Sequence, residues 1–292
     1  MAKAPLGFRQ KLYYRFEYML ISAVLGLLSV LPFGTRRRVA GWVFSRLVAP
    51  LARYDRRIRV NLADVRPELS APEVEAHVRD VPYNVGQTLS ELFSPKDLAQ
   101  MARQTALSGP GLAALRAAQA EGRPSILVSG HYGNYDIIRS ALIQEGLAIG
   151  GFYRPMNNPY FNDVYVKTIS QIGTPLFPRG REGMSKMVRF LKSGGTLAIL
   201  IDQRMGNGVD ATFFGKRAST ATSVADLAIK YNAVVVPCYA TRHAEGFEAN
   251  FEAPIEHGAP MEMIQALNDS LEAQVRQNST QWFWIHRRWK NT

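Results

Sequence analysis

The stretch Ser125-Ile126-Leu127-Val128-Ser129-Gly130-His131-Tyr132-Gly133-Asn134-Tyr135-Asp136 decides the fold of this chain. Its first five residues form an apolar run that is typical of a buried strand, and the residues after Tyr135 predict a helix. A histidine thus follows the strand, and a carboxylate stands at the start of the helix. In α/β proteins this junction between strand and helix is where sites are built.

The residue types at this junction point to acid–base chemistry. A neutral imidazole such as that of His131 takes a proton from an attacking hydroxyl, and a nearby carboxylate such as Asp136 fixes its tautomer and stabilises the imidazolium. We therefore predict that His131 and Asp136 are catalytic. The spacing alone leaves an alternative open, in which a strand-end histidine lies beside an aspartate that begins the helix.

Strands and helices alternate after residue 123, which favours an α/β fold with a central, largely parallel sheet flanked by helices. The predicted strands are 125–129, 149–153, 196–201, 234–239 and 247–253, and the predicted helices are 135–144, 159–172, 182–192, 221–231 and 261–276. We predict that residues 37–122 form a helical part and residues 123–292 an α/β catalytic core. Together they make one domain, 37–292.

The N-terminal segment predicts a membrane anchor. Residues 18–35 carry no charge and are rich in Leu, Val and Ile. As a helix they would reach about 27 Å, marginal for a hydrocarbon core of about 30 Å. Residues 1–36 are therefore predicted to span the bilayer or to lie in one leaflet, with a core helix as the alternative.

The charge of the chain predicts anionic partners. The 35 basic residues exceed the 24 acidic ones, for a net charge of +11, and nine arginines lie between Arg36 and Arg66. Anionic lipid and nucleic acid both attract such a segment. The neighbouring apolar segment favours lipid, and no nucleic-acid-binding module is recognisable. The single cysteine, Cys238, excludes an intrachain disulfide and fits a reducing compartment.

Polar residues also follow the second and third predicted strands. Arg154, beside a turn that contains Asn157 and Asn158, is well placed to grip a phosphate. Its alternative is a surface arginine that caps a turn. The third strand ends at Asp202-Gln203-Arg204. Because the carboxyl ends of parallel strands share one edge of a sheet, we expect all these residues to lie near His131 and to bind substrate.

A metal site and a serine hydrolase site are alternatives to the acid–base pair, and two further motifs have more than one interpretation. A metal site would need further ligands near His131, but the other histidines are scattered along the sequence and no cysteine pair exists. A serine hydrolase would need a Gly-x-Ser-x-Gly turn, which is absent. The pair Phe213-Phe214 predicts either an acyl-binding or membrane surface or a core anchor, and His286, in the Trp-rich C-terminal segment, is predicted to be structural.

The motifs resemble those of the bacterial lipid A biosynthesis acyltransferases of the lauroyl/myristoyl type. The resemblance covers most of the chain and includes the N-terminal anchor and the segments 56–62, 84–91, 130–136, 153–159, 202–203, 213–215 and 284–290. One departure is Asp136, where many members carry Glu. Another is Lys167, where an arginine is expected.

The resemblance implies an O-acyltransferase. Such an enzyme transfers a fatty acyl group from acyl carrier protein, its co-substrate, to a hydroxyl of an anionic lipid A precursor. The reaction takes place at the cytoplasmic face of the bacterial inner membrane, without metal or further cofactor. His131 is then the general base and Asp136 its orienting partner. A lysophospholipid or aminolipid acceptor is the alternative.

Overall fold

The computed structural model describes residues 6–206 and 208–289. Residues 1–5 of the predicted anchor and Lys290 of the C-terminal motif lie outside the described residues. The helices are α1 (Phe8–Ser29), α2 (Phe33–Val43), α3 (Ala49–Leu51), α4 (Tyr54–Val65), α5 (Ala71–Leu92), α6 (Pro95–Gln104), α7 (Pro110–Ala120), α8 (Tyr135–Gln144), α9 (Pro159–Ile172), α10 (Arg181–Lys192), α11 (Ser223–Tyr231) and α12 (Pro260–Gln277). The strands are β1 (Ala106–Ser108), β2 (Ser125–Ser129), β3 (Ile149–Tyr153), β4 (Leu176–Pro178), β5 (Thr196–Leu200), β6 (Val209–Phe213), β7 (Lys216–Thr220), β8 (Val234–Arg242) and β9 (Phe247–Phe251).

The main sheet has seven strands in the order β1-β9-β8-β2-β5-β3-β4. All neighbouring strands are parallel except β8 and β9, which pair antiparallel. The predicted α/β class with a mainly parallel sheet is therefore confirmed. The short strands β1 and β4, at the two edges of the sheet, were not predicted.

Strand β2 lies at the centre of the sheet, between β5 and β8, and all five of its residues are buried. Its side chains alternate between two hydrophobic clusters: Leu127 contributes to one, and Ile126 and Val128 contribute to the other. A strand that buries both faces needs an uninterrupted apolar sequence, which is what its sequence provides.

The N-terminal prediction is not confirmed. The uncharged stretch 18–35 is divided between α1 and α2, because Pro32 is extended (φ −53°, ψ 141°) and a proline disfavours helix in the residue before it. Within residues 6–206 and 208–289, no helix combines the length and the hydropathy needed to cross a membrane.

The helix α1 makes polar contacts with the start of α9 and with α2. The side chain of Asn158, at the start of α9, donates to the carbonyl of Tyr14 (2.9 Å) and to Glu17 (2.8 Å). Arg36 donates to the carbonyls of Leu28 and Ser29, both at 3.1 Å, and so satisfies the C-terminal end of the helix.

The hairpin of β6 and β7 was not predicted. It packs under α12 and the C-terminal segment, where Phe213 and Phe214 are buried among Trp282, Trp284 and Trp289. Of the two expectations for the Phe213-Phe214 pair, the core anchor is therefore correct.

Candidate active site

The imidazole of His131 is held by Asp202. The Nδ1 atom of His131 lies 2.7 Å from Oδ1 of Asp202, and the backbone N–H of His131 donates to Oδ2 at 2.7 Å. The Asp202 carboxylate is fully buried, whereas the His131 side chain is 23% exposed. With the proton on Nδ1 shared with Asp202, the Nε2 atom is the one left to accept a proton.

Strand register explains this pairing across 71 residues of sequence. Strands β2 and β5 are parallel neighbours in which Ser129 is opposite Leu200. Two residues further along each chain are His131 and Asp202, so the two side chains leave the sheet at the same level. The backbone bond from Ile201 N–H to the Ser129 carbonyl (3.1 Å) extends the ladder to this point.

A third donor completes the surroundings of Asp202. The indole N–H of the buried Trp282 donates to Oδ2 at 2.9 Å. Burial alone raises the pKa of the Asp202 carboxyl, but the charge and hydrogen bonds of His131, together with the charge of His286, outweigh it and hold this pKa far below its ordinary value. Asp202 is therefore an anion at neutral pH, and it stabilises an imidazolium on His131.

Asp136 does not occupy the position predicted for it. It stands in the first turn of α8, where its carboxylate accepts from Nε of Arg139 at 3.1 Å. Arg139 is buried and also donates to the carbonyls of Ile169 and Gly173 in and after α9. The correction is that Asp202, and not Asp136, occupies Nδ1 of His131. Asp136 is the counter-ion of a buried arginine three residues along its own helix.

The loop that carries His131 is fixed by α5. The buried Glu91 accepts from the Asn134 amide at 2.8 Å, and the Thr88 hydroxyl donates to the Gly133 carbonyl at 3.0 Å. Glu91 is neutralised by ion pairs with Arg37 (2.7 Å) and Arg242. The segment 84–91 of α5 therefore fixes the position of the loop through these hydrogen bonds.

Gly133 is required by the path of this loop. Its φ is +52°, and a Cβ atom at this position would lie 1.9 Å from the carbonyl oxygen of Ala240. A side chain here would both strain the backbone and force the loop away from β8. The loop can therefore deliver His131 to the sheet edge only with glycine at position 133.

The structure brings His286 to His131, although the sequence separates them widely. The two rings meet edge to face with centroids 4.8 Å apart. Burial, followed by the charge of His131, lowers the pKa of His286 to about 4, so the ring is neutral at pH 7. The ligand atoms of His131, Asp202 and His286 lie within 4.8 Å of one another, a set that could hold a metal ion. A metal ion bound to the Nδ1 atom of His131 would have to displace its hydrogen bond to Asp202.

The other residues that were predicted to bind substrate differ in their position and in their hydrogen bonds. Gln203 lies at the site, with its amide nitrogen 3.4 Å from Nε2 of His131. Arg204 is exposed, and so is Arg154, which donates to Asn157 at 3.0 Å; their roles in binding substrate stay predictions. Asn158 is buried and its amide is used structurally, because it caps α9 and bonds to α1.

A cavity of about 90 Å³ lies next to this site, between α8, α9 and the strands β2, β3 and β5. Its walls are mainly apolar, and its polar groups include Asp136 and Arg139. Tyr135 lines it and also places its ring 5.5 Å from that of His131. Residues 198–200 of β5 are only half-buried although the strand is internal to the sheet, and all three are among the residues that line this cavity.

Sequence reasoning allowed the Trp-rich C-terminal segment to pack over the site, but it assigned no individual role there to three residues. Trp282 and His286 come from the C-terminal segment, and Glu91 comes from α5. The only signal for the first two was the concentration of aromatic and basic residues in 281–290. Glu91 had a weaker signal: a carboxylate within the apolar pattern of a helix is expected to have a buried partner.

Two comparisons with known proteins bear on identity. No curated protein matches the chain. The model of one family, described as bacterial lipid A biosynthesis acyltransferase, matches residues 7–291, which is nearly the whole chain. The chain therefore belongs to the bacterial lipid A biosynthesis acyltransferase family.

Proposed function

We propose that this protein transfers a fatty acyl group from acyl carrier protein to a hydroxyl of a lipid A precursor, at the cytoplasmic face of the inner membrane. The observation that carries the proposal is the His131–Asp202 pair, with Nε2 of His131 directed away from the carboxylate and beside Gln203. Family membership supports acyl transfer, and this geometry supports His131 as the base.

The proposed reaction begins at Nε2 of His131. The acceptor hydroxyl takes the place of the Gln203 amide and gives its proton to Nε2 as its oxygen attacks the thioester carbonyl. A tetrahedral intermediate forms, the C–S bond breaks, and the carrier sulfur takes the proton back from Nε2 of His131 and leaves as a thiol. The buried Asp202 anion stabilises the transient imidazolium and keeps the ring from rotating.

The cavity beside Tyr135 is the proposed site of the acyl chain. Its walls include Leu127, Ile138 and Ile169, which offer no hydrogen-bonding groups to a ligand. Because apolar surface binds hydrocarbon without loss of hydrogen bonds, the start of a fatty acyl chain fits this environment. Tyr135 lies between the cavity and His131, so that the thioester carbon would be placed near the base.

The exposed apolar side chains of α1 support binding at a membrane surface. None of the residues of α1 is buried, and Phe8, Leu12, Phe16 and Leu27 are all more than half exposed. The first turns of α1 also carry Arg9, Lys11 and Arg15. We propose that this helix inserts its apolar side chains among the lipids while its basic residues contact anionic headgroups.

The experiment is an acyl-transfer assay with the full chain, acyl carrier protein thioesters and a lipid A precursor. We expect acylation by the wild type, and a loss on the order of 10² to 10⁴ in kcat for His131→Ala, the usual contribution of a general base. The exposed His243→Ala is the matched control. If the wild type acylates only a lysophospholipid or aminolipid, the acceptor assigned here is wrong.

A further inference from the structure

A groove lined by arginines lies between α4 and the C-terminal segment. Its volume is about 570 Å³, and Arg53, Arg56, Arg57 and Arg287 line it. Three of these four side chains are exposed, and Arg57 is half-buried. The groove also includes Asp64, whose charge is compensated by Lys216 at 3.1 Å. The groove therefore carries a strong positive charge.

Most of this charge has no partner among residues 6–206 and 208–289. Arg57 donates to the carbonyl of Ile285 at 3.1 Å, but the guanidinium groups of Arg53, Arg56 and Arg287 make no hydrogen bond or ion pair within residues 6–206 and 208–289. Three unpaired guanidinium groups around one groove repel one another. Such an arrangement is stable with an anion between them, and a planar fork of donors fits phosphate in particular.

The backbone adds a second observation. Arg53 adopts a left-handed conformation, with φ 55° and ψ 37°, at the start of α4. For a residue with a long side chain this conformation is strained, and strained residues occur preferentially at functional sites. With this backbone conformation Arg53 precedes the first turn of α4 and lines the same groove as Arg56 and Arg57.

The groove is connected to the proposed base through His286. Asn61, which lines the groove, donates to the carbonyls of Trp284 (2.7 Å) and His286 (2.8 Å). The His286 ring in turn contacts His131. Two residues, Asn61 and His286, thus connect the groove with the His131 ring, and we infer that groove and base hold two parts of one molecule.

Exposed apolar side chains, in the groove and in the sequence before it, favour a lipid as the ligand. Leu51, just before Arg53, is 86% exposed, and Val60, in the groove, is 59% exposed. Trp42 and Leu47, which precede them along the chain, are exposed as well. The acyl chains of a lipid whose phosphate lies in the groove would cover exposed apolar side chains such as Val60, whereas a free phosphate ion would leave them in water.

We propose that this groove binds a phosphate group on the headgroup of the acceptor lipid, and that it fixes which hydroxyl reaches His131. The assignment of an acceptor rests on the proposed function, but phosphate binding by the groove does not. Arg154, the residue predicted for this role from the sequence, is exposed and bonded to Asn157 instead.

The test compares two double variants with the same change of charge. Arg56→Gln/Arg287→Gln removes two groove arginines, and Arg181→Gln/Arg189→Gln removes two exposed arginines from α10. None of the four side chains makes a hydrogen bond or ion pair within the described residues, so both variants should fold, which thermal unfolding checks. Flotation with phosphatidylcholine vesicles, with and without phosphatidic acid, measures binding to a lipid phosphate without catalysis.

We expect the groove variant to lose roughly tenfold of the wild-type preference for phosphatidic acid, and the α10 variant to keep it within about twofold. With a phosphorylated acceptor, the groove variant should raise the acceptor KM about tenfold while kcat and the KM of the carrier thioester change by less than about twofold. A phosphate-free acceptor should show no such difference.

Three results would overturn the proposal. Equal losses in both double variants would show an effect of overall charge. A rise in the KM of the carrier thioester would assign the groove to the carrier protein. Inorganic phosphate that binds the groove without competing with phosphatidic acid vesicles would assign it to free phosphate.

Failure of the proposed function can be told apart from failure of the phosphate site. If the wild type does not acylate a lipid A precursor but the flotation result holds, the proposed function fails and the phosphate site stands.

Discussion

Two carboxylates near the same edge of the sheet differ in their burial and in the partners of their oxygen atoms. Asp202, after β5, is fully buried and accepts from His131 twice and from Trp282 once. Asp136, in the first turn of α8, is half-buried and bonds to Arg139. The near neighbour in sequence is therefore not the partner of the base. Pairing of parallel strands decides which carboxylate meets His131.

The largest effect expected from this comparison is on Asp202. Asp202→Asn places an amide N–H against Nδ1 of His131 and so forces the proton to Nε2, where the base must be free. We expect kcat to fall on the order of 10³ with little change in acceptor KM. Steady-state acyl transfer, with thermal unfolding to verify the fold, measures this.

Asp136→Asn is the matched control for that measurement. It should lower kcat by about tenfold or less, and it should lower the free energy of unfolding by about 2 kcal/mol because Arg139 loses its counter-ion. If Asp136→Asn reduced kcat more than Asp202→Asn, the roles assigned to the two carboxylates would have to be exchanged.

The next effect concerns His286 and the dependence of stability on pH. Its pKa is about 4 in the folded protein and about 6.5 in the unfolded chain. Between these values the unfolded chain binds more protons, so stability rises with pH and is lost as pH falls from about 6.5 to 4. The change is on the order of 3 kcal/mol, or about a hundredfold in the unfolding equilibrium.

Urea unfolding between pH 4 and pH 7 measures this contribution. His286→Asn should flatten the dependence relative to the wild type, and the exposed His243→Asn should leave it unchanged. A wild-type slope that persists in His286→Asn would show that other groups cause it and that His286 is not kept neutral by burial.

The smallest effect concerns the cavity on the Asp136 side. Ala198 lines it, so Ala198→Phe should fill part of the space and Ala198→Val a smaller part. We expect the ratio of long-chain to short-chain transfer to fall several-fold for Phe and less for Val, since one misplaced methylene changes binding by about 1 to 3 kcal/mol. Assays with carrier thioesters of graded length test this. An unchanged chain-length profile in a folded Ala198→Phe variant would remove the acyl chain from the cavity.

Prediction from sequence was most accurate where a segment depends on its own residues. The bounds of β2, β3, α8 and α9 were predicted as the structure has them. Each of these elements has enough residues for its hydrophobic pattern to be read, and turn residues bound it. The edge strands β1 and β4 have three residues each, which is too few for a periodic pattern.

The N-terminal helices show the opposite case. An uncharged stretch whose length is marginal for a membrane span was predicted as an anchor, but Leu31 and Pro32 divide it between two helices. Hydropathy summed over a window does not register one residue whose backbone cannot continue the helix. The backbone conformation of Pro32 divides the stretch into two helices, and the mean hydropathy of the stretch does not indicate this.

Local patterns of the sequence were enough to predict the α/β class and the central strand β2 and to propose His131 as the base, because apolar runs and strand-end polar residues are local features. Only the tertiary structure decided the partner of His131, since that depends on the register of β2 against β5 and on a tryptophan from the end of the chain. A hydrogen bond between residues 71 positions apart leaves no mark on either local pattern. It follows from the order and register of the strands, which no single segment encodes.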